Sequence, residues 1–251
     1  MRRACREIFF LVFVIGLFLT GGQGLVWASG HGKGQLSPAQ AVKRVMLNND
    51  TFVREHRAAD FEAYLTAQHP FVTFITCSDA RVQTEGFLPY SSIDKVFVIR
   101  NIGNQIPNSE GSIDYGILHL HTPLLFIVGH THCGAVKAAM GDYSHETPGI
   151  KKELDALKIP IRGKVTEEAW LKNVEANVHY QVQYALKLYG HLVKEGKLVI
   201  VGGVYDFLNV YGKGYGRIVI IDVNGEKDPK KIRKHPALKL IPKEILHNCT
   251  L

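Results

Sequence analysis

Two short apolar runs, each halting at side chains able to bind a metal, constrain this chain more than anything else in it. Residues 71–81 read FVTFITCSDAR and residues 124–135 read LLFIVGHTHCGA. The first run ends in Cys77, with Asp79 and Arg81 just beyond it; the second ends in His130 and Cys133. Buried β-branched runs of this length, followed by helix-like segments, read as parallel strands of an α/β sheet. Ligands of such sheets gather beyond the carboxyl ends of the strands. Two thiolates and one imidazole arriving there suit zinc, and three protein ligands leave a fourth position for chemistry.

The rest of the chain reads as scaffold for these two ends. Ser37 can cap, and Pro38 open, a first helix running through AQAVKRVMLNND. A second helical piece is expected over Arg57–Gln68, halted by His69-Pro70. Strands are expected at Phe71–Thr76, Lys95–Arg100, Leu124–Val128, Leu198–Val204 and Gly216–Val223. Between them fall a helix over Gly111–His121, another beginning near Cys133, and a long one over Glu167–Glu195. Thr166 caps the long helix, Glu167 and Glu168 suit its first turn, and Gly196 ends it. Residues 142–166 are polar and read as a surface excursion; 224–251 read as a tail wrapping the outside or a neighbouring subunit. The alternation implies an α/β fold: a central, mostly parallel sheet of four strands with helices on both faces. A fifth strand adds antiparallel at an edge, because Tyr205–Tyr215 holds no helix-length crossover.

At 251 residues and 46% hydrophobic content the chain can bury one core, and no shift of composition marks a second domain. The first segment reads apart from it. Arg2, Arg3 and Arg6 precede an apolar run from Ile8 to Leu19, and Val26-Trp27-Ala28 offers a small-residue cleavage signal. That is the layout of a secretory signal peptide over residues 1–28, with Ser29 as the mature start and a bacterial periplasm as the destination. A retained anchor is the alternative, but the run is short of the ~20 residues a spanning helix needs. A single domain over residues 29–251 is then expected, with its core at about 37–223 and its tail at 224–251. Losing three Arg and one Glu with the leader lowers the formal charge from +7 to +5. The basic strip Lys227–Lys234 reads as a solvated surface; no nucleic-acid motif is present, and none is expected as a partner.

Cys5 departs with the leader, leaving Cys77, Cys133 and Cys249, an odd number that argues against a disulfide framework. A Cys77–Cys133 disulfide is the alternative to a metal, but a disulfide has no need of Asp79, Arg81 and His130 beside it. His130 and Cys133 straddle a strand end and a helix start, where the helix dipole lowers a thiol pKa. Asp79 has two uses near a metal: as fourth ligand, or as acceptor for a hydrogen bond from bound water. Arg81 can decide between them by holding the carboxylate in a bidentate pair. Seen alone, C-x-D-x-R also reads as a turn with a surface ion pair.

Taken together, CSDAR, RNIGN at Arg100–Asn104 and GHTHCGA at Gly129–Ala135 resemble the β-class carbonic anhydrases, whose pattern is C-x-D-x-R, R-N-x-x-N and G-H-x-x-C-G. LNNDTF, Gln68 and Pro70, GSIDYG, NVEANV at Asn173–Val178 and GKLVIVGGVYD at Gly196–Asp206 extend the likeness from about Ser37 to Val223. The resemblance implies one Zn2+ per chain on Cys77, His130 and Cys133, with Asp79 and Arg81 as a catalytic dyad and Asp79 as fourth ligand in a closed state. It implies that Arg100, Asn101 and Asn104 shape the loop beside the site, and that chains form a homodimer or a dimer of dimers. The implied activity is reversible hydration of carbon dioxide to bicarbonate and a proton by attack of zinc-bound hydroxide. Alternatives are hydrolysis of carbonyl sulfide or carbon disulfide on the same zinc, a non-catalytic zinc protein, or a Cys77–Cys133 redox couple. Pocket width and the loop Gln83–Asp94 would separate the substrates. Departures from the family pattern are Ala80, where Ser is usual, and His132, which reads as an exposed histidine rather than a proton relay or metal contact. His119 and His121, two apart, do not share a helix face.

Overall fold

The computed structural model describes residues 36–86, 88 and 93–251. The leader expected over residues 1–28 lies outside them, as do residues 87 and 89–92 of the loop Gln83–Asp94. The chain divides into two compact units, the first ending at Asp60 and the second beginning at Phe61.

In the first unit helix α1 runs Pro38–Glu55. The Ser37 hydroxyl accepts the Gln40 amide while the Gln40 side chain accepts the Ser37 amide, a capping box that Pro38 reinforces. The helix expected over Arg57–Gln68 does not form. Short 3-10 turns stand instead at Ala58–Asp60 and Glu62–Tyr64. The Asp60 carboxylate takes the Arg57 amide, so a local side-chain bond competes with helical pairing there.

The second unit is built on a five-stranded sheet of order β2-β1-β3-β4-β5: β1 Val72–Cys77, β2 Val96–Asn101, β3 Leu124–His130, β4 Val199–Asp206 and β5 Arg217–Val223. The first four are parallel and β5 is antiparallel to β4, as the short connection requires. Alternate residues of β1 enter different clusters. Ile75 joins Ile127, Val182 and Ile200, whereas Val72 and Phe74 pack with Val128 and Tyr205. Both faces of the sheet are therefore buried, and its central strands are apolar almost without a break.

Among the described residues, five short α-helices and one long one complete the unit. The segment expected as one helix over Gly111–His121 is α2, Glu110–Asp114, followed by a π-helical turn, Tyr115–His119. A Cβ on Gly116 would lie 2.2 Å from the Thr73 hydroxyl, so glycine lets this turn sit directly on β1. Helix α3, Gly134–Met140, follows Cys133. Residues 142–166 are not a surface excursion. They contain α4, Pro148–Asp155, capped by Thr147, and send Leu154, Leu157 and Ile159 into the core beside Met140 and Trp170. Helix α5, Glu167–Lys194, lies on β3 and β4 with Val174, Val178, Val182 and Ala185 buried. The tail packs on its own sheet: α6, Pro229–Ile232, brings Ile232 against Val201 and Val223, while Thr250, beyond α7 (Lys243–Asn248), bridges to Ile220.

Candidate metal centre

β1 and β3 are adjacent and parallel, so their carboxyl ends arrive together. Cys77 is the last residue of β1, His130 the last of β3, and Cys133 the residue before α3. Their ligand atoms all lie within 4.8 Å of one another, and all three side chains are buried. The two Sγ atoms stand 4.0 Å apart and both cysteines are free. A disulfide would bring them to ~2.05 Å, whereas two thiolates on one tetrahedral zinc, each at ~2.3 Å, stand about 3.8 Å apart.

The protonation pattern fits the same reading. The His130 ring donates from Nδ1 to the Thr131 carbonyl at 2.9 Å, which leaves the Nε2 lone pair free. Nε2 is fully buried and has no hydrogen-bond partner among the described residues, an arrangement that costs free energy unless a cation takes the lone pair. The thiols are a coupled pair. Cys77 is pushed well below its ordinary value, chiefly by the hydrogen bond from Cys133, with His130 and the Gly103 amide assisting. Cys133 is pushed up by the same sharing and by burial, which overwhelm the favourable amides of Ala135 and Val136 at the helix start. The two buried sulfurs thus face each other across a gap that a thiophilic cation would fill. The donor set fits zinc.

Asp79 stands outside this set. Arg81 donates to Asp79 Oδ1 from its backbone amide and from Nε, both at 2.9 Å, and to Oδ2 from Nη2 at 2.6 Å. These bonds hold the carboxyl down at about 2 against the opposing effect of partial burial. Oδ2 lies 3.9 Å from His130 Nε2, so the carboxylate borders the cluster while Arg81 occupies both of its oxygens. Arg81 in turn lies over the Phe207 ring and donates to the His132 carbonyl at 3.1 Å.

The loops around the site are fixed by backbone capture. Arg100 donates to the carbonyls of Cys77, Asp79 and Val82 and to the Gln83 side chain, tying together the chain that carries the ligand and the carboxylate. Asn101 closes the following turn on Gln105, and the Gly103 amide points at Cys77 Sγ, 3.4 Å away. Gly103 and Asn104 both have positive φ, which explains a Gly and an Asn at these positions. His132 is not an exposed bystander: its ring stacks on Trp170 and its Nε2 pairs with Glu167. His119 packs on Tyr115 at the end of the π turn, and Ala80 leaves its position without a hydroxyl. Sequence reasoning passed over Gly103, Trp170, Glu167 and Phe207. Of these only Gly103, within RNIGN, carried a signal.

The sequence model of the carbonic anhydrase family matches residues 72–211. A carbonic anhydrase of Synechococcus elongatus is 33% identical over 165 residues, covering 58% of this chain and 60% of that protein. Carbonic anhydrase 2 of Mycobacterium tuberculosis is 34% identical over 121 residues, covering 45% of this chain and 58% of its own. The chain thus spans at most about 60% of the length of these relatives. Among solved structures, the β-carbonic anhydrase CcaA superposes with a TM-score of 0.60 at 22% identity, over 73% of this chain and 94% of that one. The Aspergillus fumigatus β-carbonic anhydrase CafA gives 0.56 at 23%, over 83% and 94%. A tetrameric β-carbonic anhydrase of Sordaria macrospora gives 0.54 at 21%, over 73% and 94%. With most of its sheet, both cysteines and the histidine inside the matched segment, this chain belongs to the carbonic anhydrase family and has the fold of its β class.

Proposed function

We propose that this protein catalyses the reversible hydration of carbon dioxide to bicarbonate and a proton, with one zinc ion per chain held by Cys77, His130 and Cys133. The observation that carries the reading is the buried His130 Nε2, without a hydrogen-bond partner among the described residues, beside two sulfurs at zinc-bridging separation. Zinc in such a site supplies Lewis acidity, which makes water a nucleophile near neutral pH. The side chains do the rest. Asp79, ionised at every working pH, accepts a hydrogen bond from the reacting water and turns an oxygen lone pair toward the carbon of carbon dioxide. Arg81 keeps both carboxylate oxygens occupied and so holds Asp79 back from ligation. Arg100 keeps the Cys77–Val82 turn in register, and the Phe207 ring packs against the Arg81 guanidinium. The proton released passes to buffer.

The same proposal takes in the chain's address and assembly. The Arg-flanked apolar leader supports export to a periplasm after cleavage at Ala28, and the tetrameric fold relative supports a homodimer or dimer of dimers. Cell fractionation and light scattering test these two points.

The central test is stopped-flow carbon dioxide hydration by zinc-loaded protein from about pH 6.5 to about 9. Wild type turns over while Asp79→Asn, with zinc still at one per chain, does not. Turnover retained in Asp79→Asn would remove the assigned role; an inactive zinc-loaded wild type would remove the reaction.

A further inference from the structure

The turn between His130 and Cys133 carries a conformation that its sequence does not favour. His132 sits at φ +54, in the left-handed region that a side chain with a Cβ enters only at a cost. In that conformation its backbone carbonyl accepts from Arg81 Nη2 at 3.1 Å, and Arg81 is the residue that holds Asp79. Something must hold the strained residue in place, and the first turn of α5 does so at three points. The His132 ring lies on the Trp170 indole, centroids 4.4 Å apart and planes 6° from parallel. His132 Nε2 is 2.5 Å from Glu167 Oε2. The Trp170 Nε1–H donates to the Cys133 carbonyl at 2.9 Å, so one indole grips both the residue that feeds Arg81 and the residue that carries a ligand sulfur. Trp170 is itself buried, with Lys137 of α3 over its ring at 4.9 Å.

We propose that Trp170, acting with Glu167 through His132, is a positioning residue of the site: it fixes the His132–Cys133 backbone so that Arg81 and the Cys133 sulfur keep their places. The proposal rests on the carbonic anhydrase reading and extends it to residues more than 30 positions from any ligand. Neither Trp170 nor Glu167 touches a reacting atom. Their effect runs through two successive backbone carbonyls, those of His132 and Cys133. Loss of that grip frees the strained turn to relax. A displacement of about 1 Å in Arg81 would then be felt in turnover far more than in substrate affinity.

The test compares Trp170→Phe, Trp170→Leu, His132→Ala and Glu168→Gln with wild type. Glu168 pairs with Lys172 on the surface of the same turn and serves as the control. Each protein is loaded with zinc for kinetics and with cobalt for its visible absorption spectrum. The expected result for Trp170→Leu and His132→Ala is a kcat about tenfold to a hundredfold lower with KM little changed. Their cobalt bands should be shifted or broadened and their cobalt release faster. Trp170→Phe, which keeps the stack but not the N–H, should fall between, and Glu168→Gln should match wild type. His132→Ala is informative whatever Trp170→Leu does to folding, because it removes the ring, keeps the strain and takes out no core volume. Wild-type kcat and an unaltered cobalt spectrum in both His132→Ala and Trp170→Phe overturn the proposal. A wild type that binds cobalt yet does not hydrate carbon dioxide instead overturns the reaction; the spectral comparison still decides the positioning role.

Discussion

At the scale of single residues, the site is organised by what each neighbour leaves free. Thr131 takes the proton side of His130 and so presents its other nitrogen; Arg81 takes both oxygens of Asp79 and so withholds them. Glycine does similar work by absence. At Gly129, one residue before His130, an added Cβ would meet Val178 at 2.8 Å and Val174 at 3.3 Å, both on α5. Gly129→Ala should therefore destabilise the protein by about 1–3 kcal/mol, the usual cost of overpacking a dense core. It should also weaken zinc binding, because the end of β3 must move to make room. Urea melts and competitive chelation check both, and an unchanged midpoint with unchanged zinc affinity would count against the packing argument.

At the scale of elements, the parallel strands and the long helix were legible, and the reasons are physical. β1, β3 and β4 are buried on both faces, so their sequences are nearly continuous apolar runs, and each run ends where the chemistry starts. The ligands and the carboxylate could be read because they sit at those ends. Helix α4 was missed because its buried face amounts to Ile150, Leu154 and the following Leu157, too few apolar positions to outweigh the lysines and prolines around them. The π turn was missed because the close approach of Gly116 to Thr73, which only glycine allows there, exists only in the fold. Trp170 and Phe207 were illegible for the same reason: only the fold brings them to Cys133 and Arg81. Helix α5 is also tied to α2 by a bond from the Tyr189 hydroxyl to Asp114 at 2.8 Å, and burial together with that carboxylate pushes the phenol far up. A phenol whose pKa is raised on folding contributes stability present in full below its unfolded value, ~10, and lost as pH climbs toward the folded value. Stability should therefore fall above about pH 10, and Tyr189→Phe should make that fall shallower while costing about 1 kcal/mol at neutral pH. Urea melts at stepped alkaline pH measure the slope; equal slopes in the two proteins would refute the assignment.

At the scale of the whole chain, the C-terminal segment belongs to the fold of the second unit. Ile232 and Leu238 are buried against Val201, Ile220 and Val223, and Lys213 donates to the His247 carbonyl. Deleting residues 226–251 should expose this apolar surface and yield a protein that aggregates at concentrations where the full chain stays dispersed. Light scattering during a thermal ramp reads it directly, and a truncated protein that melts like the full chain would show the tail to be dispensable. The tail has a second consequence. Thr250 runs alongside Ile220, and the Ile220 amide is taken by the Cys249 carbonyl, so the outer rim of β5 is occupied by the chain itself. Among the described residues, β2 at the opposite rim pairs with β1 alone and leaves Val98 substantially exposed. A bare strand edge is a template on which a further strand can add, and one covered by its own chain is not. At Ile220 the last residues of the chain thus occupy main-chain groups that a foreign strand would otherwise take.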